Sequence, residues 1–238
     1  MTEALLDLEG VERRRGDGFR LVIDRFRLGA GGRVAIVGPS GSGKSTFLDL
    51  IAMTLRPDSA ARMTIRPGDA AEAVDVARLW REKRRSQVRD IRARHFGYVL
   101  QTGGLAPFLS LRENAMLSRR LLGRDDPGPV PELFRQLGIE KLGRRKPRRV
   151  SIGERQRAAV IRALAHEPAI VLADEPTASL DQTNAIDVMT LLTRTVGSQG
   201  AALILVTHDR ALAEGFGLPL AECRHDPATR TSTIGFES

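Results

Sequence analysis

Residues 38–46 read Gly-Pro-Ser-Gly-Ser-Gly-Lys-Ser-Thr and directly follow an apolar run, Val34–Val37. A strand that ends in this pattern and continues into a helix is typical of a phosphate-binding P-loop. Glycines let the backbone N–H groups form a concave ring of donors, and the helix directs its positive dipole end at the phosphates. Lys44 is expected to reach the β- and γ-phosphates, and the Ser45 hydroxyl to bind Mg²⁺. The segment predicts a nucleoside triphosphate site that comprises Gly38, Pro39, Ser40, Gly41, Ser42, Gly43, Lys44, Ser45 and Thr46.

Length and composition set the class of protein. The chain has 238 residues, of which 42% are hydrophobic, so one domain of α/β size can bury an ordinary core. No window approaches eighteen uninterrupted apolar residues, and the first residues lack the pattern of a signal peptide. Cys223 is the only cysteine, which excludes an internal disulfide and a cysteine-built metal site. We expect a cytoplasmic protein.

The net charge is +8, and much of it lies in two basic clusters. Such clusters attract nucleic acid or the anionic leaflet of a membrane, or they form a solvated helix face. No aromatic residues interleave with the arginines as a single-strand binder requires, so the composition favours the membrane surface over nucleic acid. The clusters consist of Arg78, Arg81, Lys83, Arg84, Arg85, Arg89, Arg92 and Arg94, and of Lys141, Arg144, Arg145, Lys146, Arg148 and Arg149.

The order of elements predicts an α/β protein with a helical block in its middle. Leu5 to Leu28 reads as strands joined by a turn, and the end of the chain as a hairpin around His225. The periodicity predicts one helix from about Asp75 to Arg94 and another from Thr46 to Leu55. Residues 102–166 read mainly as helix, including Glu154–Ala165. Strand–helix alternation on both sides of this block indicates a parallel sheet with an inserted helical subdomain.

A second acidic motif follows the apolar strand Ile170–Ala173. Asp174 at the carboxyl edge of a buried strand is suited to hold Mg²⁺, directly or through water. Glu175 is expected on the other side of the strand, where an attacking water must be polarised. The alternative is that this acidic pair only caps a helix that begins at Pro176.

Four further segments carry a family resemblance. Val150-Ser-Ile-Gly-Glu-Arg-Gln-Arg157 resembles the signature motif of ABC-type ATPases. Gln101 after a strand matches the Q-loop of that family, Ala178-Ser-Leu-Asp181 the D-loop, and Leu205-Val-Thr-His208-Asp the H-switch. With the P-loop, five motifs stand in family order. The chain is therefore identified as resembling an ABC nucleotide-binding domain.

The resemblance implies a fold and its boundaries. It implies an α/β P-loop NTPase (RecA-like) core at 1–101 and 167–238, with an N-terminal antiparallel β subdomain. The signature-bearing helical subdomain is expected at 102–166, and the whole chain forms one nucleotide-binding domain. It also implies a homodimer in the ATP-bound state. In that dimer each ATP lies between the P-loop of one subunit and the signature segment of the other.

The resemblance also assigns roles. Glu175 is expected to be the general base, His208 the γ-phosphate sensor, and Asp181 the link between the two sites. Gln101 is expected to touch Mg²⁺ and the water. With Lys44 these residues form the predicted catalytic set, and the predicted Mg²⁺ ligands are Ser45, Gln101 and Asp174. The partner's phosphate is expected at the helix start formed by Ser151, Gly153 and Glu154.

Two positions depart from the family pattern. Ile152 stands where the family usually has the first signature glycine, so we expect a working but slower site. No tyrosine stands at the position expected to stack on adenine, where Arg15 aligns. Arg15 by its guanidinium plane, or Phe19 by its ring, is the candidate for that contact. The preference for ATP over GTP follows from the resemblance alone.

Phe96 to Asn114 is similar to the ATPases of the lipoprotein-releasing, macrolide-efflux and cell-division transporter group. In that group a cytoplasmic helix of a separate permease docks beside the Q-loop. The apolar residues of this stretch either form the floor of that cleft or fill the helical subdomain core. They are Leu105, Pro107, Phe108 and Leu109.

The function predicted first is that of an ATP-binding and hydrolysing subunit. It drives an integral-membrane permease from the cytoplasmic face of the inner or plasma membrane. One alternative is a soluble ABC ATPase that acts on nucleic acid or ribosomes, favoured only by the charge. Another is a non-hydrolysing, ATP-gated interaction module, suggested by Ile152.

Overall fold

Residues 4–16, 18–67 and 72–237 are described by a computed structural model, in which contacts divide the chain into two units. The first unit comprises Met1–Arg92 and Ile204–Ser238, and the second Ala93–Leu203. Both contain helices and parallel strand pairs, so the predicted α/β class is confirmed. The predicted boundaries of the helical subdomain, 102–166, are a different partition of the chain and stay a prediction.

A six-stranded sheet dominates the first unit, in the strand order β10-β11-β2-β1-β4-β5. Its long hairpin pairs antiparallel from Leu6 opposite Leu28 to Arg15 opposite Phe19, as predicted for the N-terminal β subdomain. Asp17 in the predicted turn lies outside the described residues. The strands are β1 Leu6–Arg15, β2 Phe19–Leu28, β4 Arg62–Ile65, β5 Val74–Asp75, β10 Arg224–Asp226 and β11 Thr231–Glu237.

Strands β10 and β11 extend this sheet beside β2, a pairing that the sequence did not indicate. The predicted hairpin around His225 exists, since β10 and β11 pair antiparallel. Strand β11 then lies parallel to β2, with Ile234 opposite Ile23. Ile234 is buried, and the Phe26 and Phe236 rings pack with their centroids 5.7 Å apart. The last strand is thus part of the core of the N-terminal sheet.

Parallel strands in the first unit lead to the P-loop. Strand β3, Arg33–Val37, lies between β8, Ala202–Thr207, and β9, Leu220–Glu222. Strand β3 pairs parallel with β9, with Ala35 opposite Leu220. Nearly every side chain of β3 and β8 is buried, which is the pattern of strands covered on both faces.

The helices of this unit differ from two predicted spans. Helix α1 runs over Lys44–Ile51, whereas the periodicity predicted Thr46 to Leu55. The single helix predicted from Asp75 to Arg94 is wrong. Two helices replace it, α2 Val76–Arg81 and α3 Arg85–His95, which begins in this unit. Between them Lys83 adopts a left-handed φ of 59°, a conformation that no continuous helix contains. Helix α8 covers Arg210–Gly215.

The second unit places helices around a parallel pair, β6 Phe96–Val99 and β7 Ile170–Asp174. Gly97 of β6 packs so closely on the Ala163 carbonyl that a Cβ atom at Gly97 has no room. The helices are α4 Leu111–Leu121, α5 Val130–Gln136, α6 Ile152–Leu164 and α7 Gln182–Ser198, with single 3-10 turns at Glu140–Leu142 and Pro147–Arg149. Among the described residues no helix is long and apolar enough to span a bilayer.

Candidate functional site

The predicted P-loop joins β3 to α1, as its sequence requires. Gly41 and Gly43 have φ values of 77° and 97°, which L-residues with a side chain adopt only under strain. Lys44, the first residue of α1, is 5% exposed, and its Nζ donates to the carbonyls of Gly38 and Pro39 at 2.9 and 2.8 Å. The ammonium group is therefore held inside the loop, at the N-terminus of α1.

Phe19 lies on this loop. If Gly43 carried a Cβ atom, that atom would lie 2.6 Å from Phe19 Cζ. The Phe19 ring also stacks near the His225 ring, with centroids 6.3 Å apart. The other candidate for the adenine contact, Arg15, forms an ion pair with Asp49 of α1 at 3.5 Å. Of the two, only Phe19 presents an aromatic ring at the phosphate-binding loop.

A cavity of about 600 Å³ opens beside the first residues of the loop. His208, the predicted phosphate sensor, lines this cavity and is exposed. The lining also includes Gly38, Pro39 and the buried Cys223. The Cys223 thiol donates to the Ser42 carbonyl at 3.0 Å, and burial raises the pKa of this thiol. A Cβ at Gly38 would lie 2.7 Å from the Cys223 carbonyl oxygen. Cys223 thus packs against the P-loop, a contact that no sequence pattern indicated.

The acidic pair ends β7 in the second unit. Asp174 is the last residue of the strand, and both carboxylates are half-buried. Glu175 adopts a φ of 43°, a left-handed conformation that costs a glutamate of the order of 1 kcal/mol. The turn that follows is closed by the bond from the Ala178 N–H to the Glu175 carbonyl, at 3.2 Å. Glu175 therefore stands on a sharp turn rather than in the extended strand.

The signature segment begins α6, two residues before the predicted start. Ser151 is the N-cap: its hydroxyl accepts from the Glu154 N–H at 3.2 Å, and Glu154 accepts from the Ser151 N–H at 2.7 Å. This capping box fixes the helix end and satisfies the N–H groups of Ser151 and Glu154. The N–H groups of Ile152 and Gly153 have no acceptor within the helix and can bind an anion at its start. Gly153 is buried, and a Cβ there would lie 3.1 Å from Asn184 Oδ1. Ile152, the departure from the family pattern, is 47% exposed.

Asp181 is the N-cap of α7 and binds Asn184, which also lies beside Gly153 of the signature segment. Its carboxylate accepts from the Asn184 backbone N–H at 3.0 Å and from the Asn184 side-chain amide at 2.6 Å. These bonds lower the pKa of Asp181, so the carboxylate stays ionised at neutral pH. Asn184 also approaches the Gly153 position, so the predicted D-loop and signature segments lie side by side in this unit.

Two side chains of α6 hold the segment that carries Gln101. Gln101 itself is exposed in a turn. The Gln156 amide donates to the Leu100 carbonyl at 3.3 Å, while the Arg162 guanidinium donates to the carbonyls of Gly104 and of Tyr98, the latter at 3.3 Å. Gln156 and Arg162 were not predicted. Both residues lie in an arginine-rich helical segment, and such a pattern by itself predicts an exposed helix face.

Comparison with known proteins identifies the family that this arrangement belongs to. The family model described as ABC transporter matches residues 23–178, more than half of the chain. The chain belongs to the ABC transporter family. It is an ATPase of that family. Its similarity to ATP-binding proteins of transport systems favours the transporter function over the nucleic-acid alternative.

Individual proteins similar to this ABC ATPase support the same family assignment. The lipoprotein-releasing system ATP-binding protein LolD of Chromohalobacter salexigens is 37% identical over 218 residues, which cover 89% of this chain and 87% of that protein. The macrolide export ATP-binding/permease protein MacB 2 of Aeromonas hydrophila is 35% identical over 222 residues, but these are only 32% of its length. A solved structure, the ATP-binding cassette MJ0796 as a post-hydrolysis dimer bound to ADP and Pi, matches with a TM-score of 0.74. It is 28% identical, and the match covers 95% of this chain and 96% of that one. The predicted P-loop NTPase fold and ATP as ligand are thus confirmed.

Proposed function

We propose that this ABC ATPase powers a separate integral-membrane permease from the cytoplasmic face of the membrane, by closing as a homodimer around two ATP molecules. The observation that carries ATP binding is the P-loop, where Lys44 lies inside a glycine-bounded loop at the start of α1. Such a loop of N–H donors with a buried ammonium matches a triphosphate in charge and in shape. The permease partner is proposed from the similarity to transporter ATP-binding proteins. The similarity to LolD, by name an ATP-binding protein of a lipoprotein-releasing system, supports lipoprotein release as the process that this ATPase drives.

The proposed roles follow the motif positions. Glu175 acts as the general base on the attacking water, and His208 senses the γ-phosphate. Gln101 contacts the water, and Asp181 links the two sites of the dimer. The partner's γ-phosphate is bound at the α6 N-terminus by Ser151, Gly153 and Glu154. Phosphoryl transfer requires positioning and charge stabilisation more than covalent chemistry, and these groups supply both.

Mg²⁺ fits the residues available for it. Ser45 is exposed on the first turn of α1, Gln101 is exposed in a turn, and Asp174 ends β7. All three offer the oxygen atoms that Mg²⁺ prefers. When bound, the ion neutralises charge that develops on the β- and γ-phosphates. We propose Ser45, Gln101 and Asp174 as its protein contacts.

The segment after Gln101 supports docking of the permease there. Phe108 is 72% exposed and Pro107 is exposed, while Leu105 and Leu109 are half-buried. None of the four is a fully buried core residue, as they would be if they only filled the helical subdomain. An exposed phenylalanine beside partly exposed leucines is the kind of surface that binds an apolar helix.

The test is to capture the closed complex. The Glu175→Gln variant, isolated from native membranes with ATP and Mg²⁺, should bind ATP but hydrolyse it ~10²- to 10⁴-fold more slowly. We expect an integral-membrane permease to co-purify with it and to be absent with Lys44→Ala. Recovery of nucleic acid or ribosomal proteins without a permease would overturn the proposal.

A further inference from the structure

Helices α2 and α3 of the first unit carry a dense set of exposed cations that the ATPase chemistry does not use. Only Val88 of α3 is buried, so this helix is solvated on most of its surface. Over residues 76–92 only Glu82 and Asp90 are acidic. We call this set the α2–α3 basic surface. It consists of Arg78, Arg81, Lys83, Arg84, Arg85 and Arg89.

The ion pairs within this surface are few, and all are exposed to solvent. The closest joins Arg84 to Glu82 at 2.8 Å, and Arg89 approaches the neighbouring Asp90 at 3.7 Å. Arg78 and Arg81 approach Glu82 and Asp75 only to 3.9 Å, and all four side chains are well exposed. Exposed pairs of this kind are largely screened by solvent. Within the described ranges, Lys83 and Arg85 form no ion pair at all. The surface therefore keeps most of its positive charge for an external partner.

A cavity of about 210 Å³ lies next to this surface, within the same unit. Arg81 and Arg56 line it together with Trp80 and Ser59. Among the described residues that line it, the one carboxylate is Asp58, which pairs with Arg13 at 2.8 Å and accepts from the Arg14 N–H at 2.7 Å. Trp80 Nε1 is buried and has no hydrogen-bond partner among the described residues. The cavity thus combines two guanidinium groups, a hydroxyl and an aromatic wall.

We propose that the α2–α3 basic surface and this cavity bind the phosphate headgroups of an anionic phospholipid. Clustered arginines bind phosphate groups by bidentate hydrogen bonds, and they are drawn to the negative potential of an anionic leaflet. Trp80 suits the same boundary, since tryptophan prefers the region between headgroups and acyl chains. The inference rests on the proposed function only in that a permease partner brings this chain to a membrane.

Nucleic acid fits the surface less well than a lipid headgroup does. A single-strand binder places aromatic rings along the basic groove so that successive bases stack. Trp80 is the only aromatic side chain of α2 and α3. A cavity of about 210 Å³ also has room for one headgroup and not for a continuous phosphate backbone.

Trp80 makes the proposal directly measurable, because it is the only tryptophan in the chain. We expect vesicles of phosphatidylglycerol and phosphatidylcholine to shift its fluorescence emission to shorter wavelength, and vesicles of phosphatidylcholine alone to leave it unchanged. The shift should shrink as salt is raised, since the Debye length falls from ~10 Å at 0.1 M to ~3 Å at 1 M. An equal response to both kinds of vesicle would overturn the proposal. So would the same shift with inorganic phosphate alone, which would reveal a small-anion site.

The matched control uses the second basic cluster. Arg85→Glu/Arg89→Glu and Lys141→Glu/Arg144→Glu make the same change in net charge, and all four side chains are exposed. We expect the first pair to reduce vesicle binding in flotation by at least about tenfold and the second pair to have little effect. Equal losses would show attraction by net charge alone and overturn the assignment to α2 and α3. Binding of an RNA oligonucleotide that depends on Arg85 and Arg89, without vesicle binding, would overturn it in favour of nucleic acid.

The lipid proposal and the proposed function fail separately. Neither double variant touches a residue placed in the ATP site, so ATPase activity should stay at the wild-type level in both. Normal ATP hydrolysis and permease capture without vesicle binding would end the lipid proposal and leave the proposed function intact. Vesicle binding without permease capture would do the reverse.

Discussion

At the scale of single residues, Gly43 carries two constraints that can be separated. Its φ of 97° strains any side chain, and a Cβ would collide with the Phe19 ring at 2.6 Å. Gly41 has a similar φ, 77°, but open space around its Cβ position. Gly41→Ala should therefore weaken ATP binding only through backbone strain in the loop, by ~1–2 kcal/mol. Gly43→Ala adds the collision with Phe19, so it should reduce the affinity for ATP by more than the ~10-fold that corresponds to 1.4 kcal/mol.

Titration with a fluorescent ATP analogue measures both variants. Truncating the ring in Phe19→Ala/Gly43→Ala should recover affinity relative to Gly43→Ala, unless Phe19 is itself the adenine contact. In that case Phe19→Ala alone weakens binding while Arg15→Ala does not. Equal affinity losses for Gly41→Ala and Gly43→Ala would contradict the role given to the ring.

Ile152 sets a second prediction at this scale. Its side chain is 47% exposed at the α6 N-terminus, where the partner's γ-phosphate is proposed to bind. Ile152→Gly should raise kcat by roughly 2- to 10-fold, equivalent to ~0.4–1.4 kcal/mol. The same change should lower helix stability by ~1 kcal/mol, because glycine is a poor helix former. Ile152→Ala removes most of the bulk and keeps helix propensity, so steady-state ATPase assays that show no gain for either variant would refute the steric argument.

At the scale of elements, α6 connects the signature segment to the Gln101 turn. Arg162 donates to the carbonyls of Gly104 and Tyr98, and a hydrogen bond from a charged group contributes ~1.5–3 kcal/mol. Arg162→Ala should therefore lower kcat about tenfold, because Gln101 is no longer held, with KM for ATP nearly unchanged. Arg162→Lys should restore part of the rate.

Arg157 is the control on the same helix. It bonds to the Leu137 carbonyl at 3.4 Å and to Asp187 at 3.2 Å, away from the Gln101 turn. Arg157→Ala should lower the urea midpoint of unfolding with kcat preserved. If Arg157→Ala and Arg162→Ala reduce kcat equally, α6 has only a structural role.

Helix α3 and Arg119 show where sequence patterns fail at this scale. The apolar periodicity of residues 75–94 continues across the left-handed Lys83, and no glycine or proline marks the break. Arg119 reads as a solvated cation of α4, yet its side chain is 4% exposed. It donates to the carbonyls of Asp126 and Ala165, both at 3.0 Å. It also forms ion pairs with the carboxylates of Asp126 and Glu167. Composition cannot reveal such a residue, because burial of its side chain depends on how α4 packs against segments elsewhere in the chain.

At the scale of the whole molecule, the motifs were predictable and the long-range pairing was not. The P-loop and the capping of α6 follow from local sequence, since each is a glycine or a cap at a fixed offset. The parallel pairing of β11 with β2 joins residues 231–237 to residues 20–27, and the alternating pattern of either strand specifies no partner. Cys223, between β9 and β10, contacts the P-loop although it is 181 residues from Ser42 in the sequence. Contacts of this kind depend on topology rather than on local pattern.

The head-to-tail dimer can be tested by mixing two defective variants. Lys44→Ala removes the P-loop cation. Ser151→Asp keeps a good N-cap but places a carboxylate where the partner's γ-phosphate is proposed to bind. In a head-to-tail dimer each variant alone spoils both sites. A mixed dimer contains one intact site, formed by the P-loop of the Ser151→Asp subunit and the signature segment of the Lys44→Ala subunit. If the variants pair at random, half of the dimers are mixed, so ATPase activity should recover to about a quarter of the wild-type rate for independent sites.

ATP-dependent dimers should reappear in light scattering only in the mixture. If neither activity nor dimers return at concentrations where the wild type dimerises, the head-to-tail arrangement is wrong, and each subunit must complete its own site.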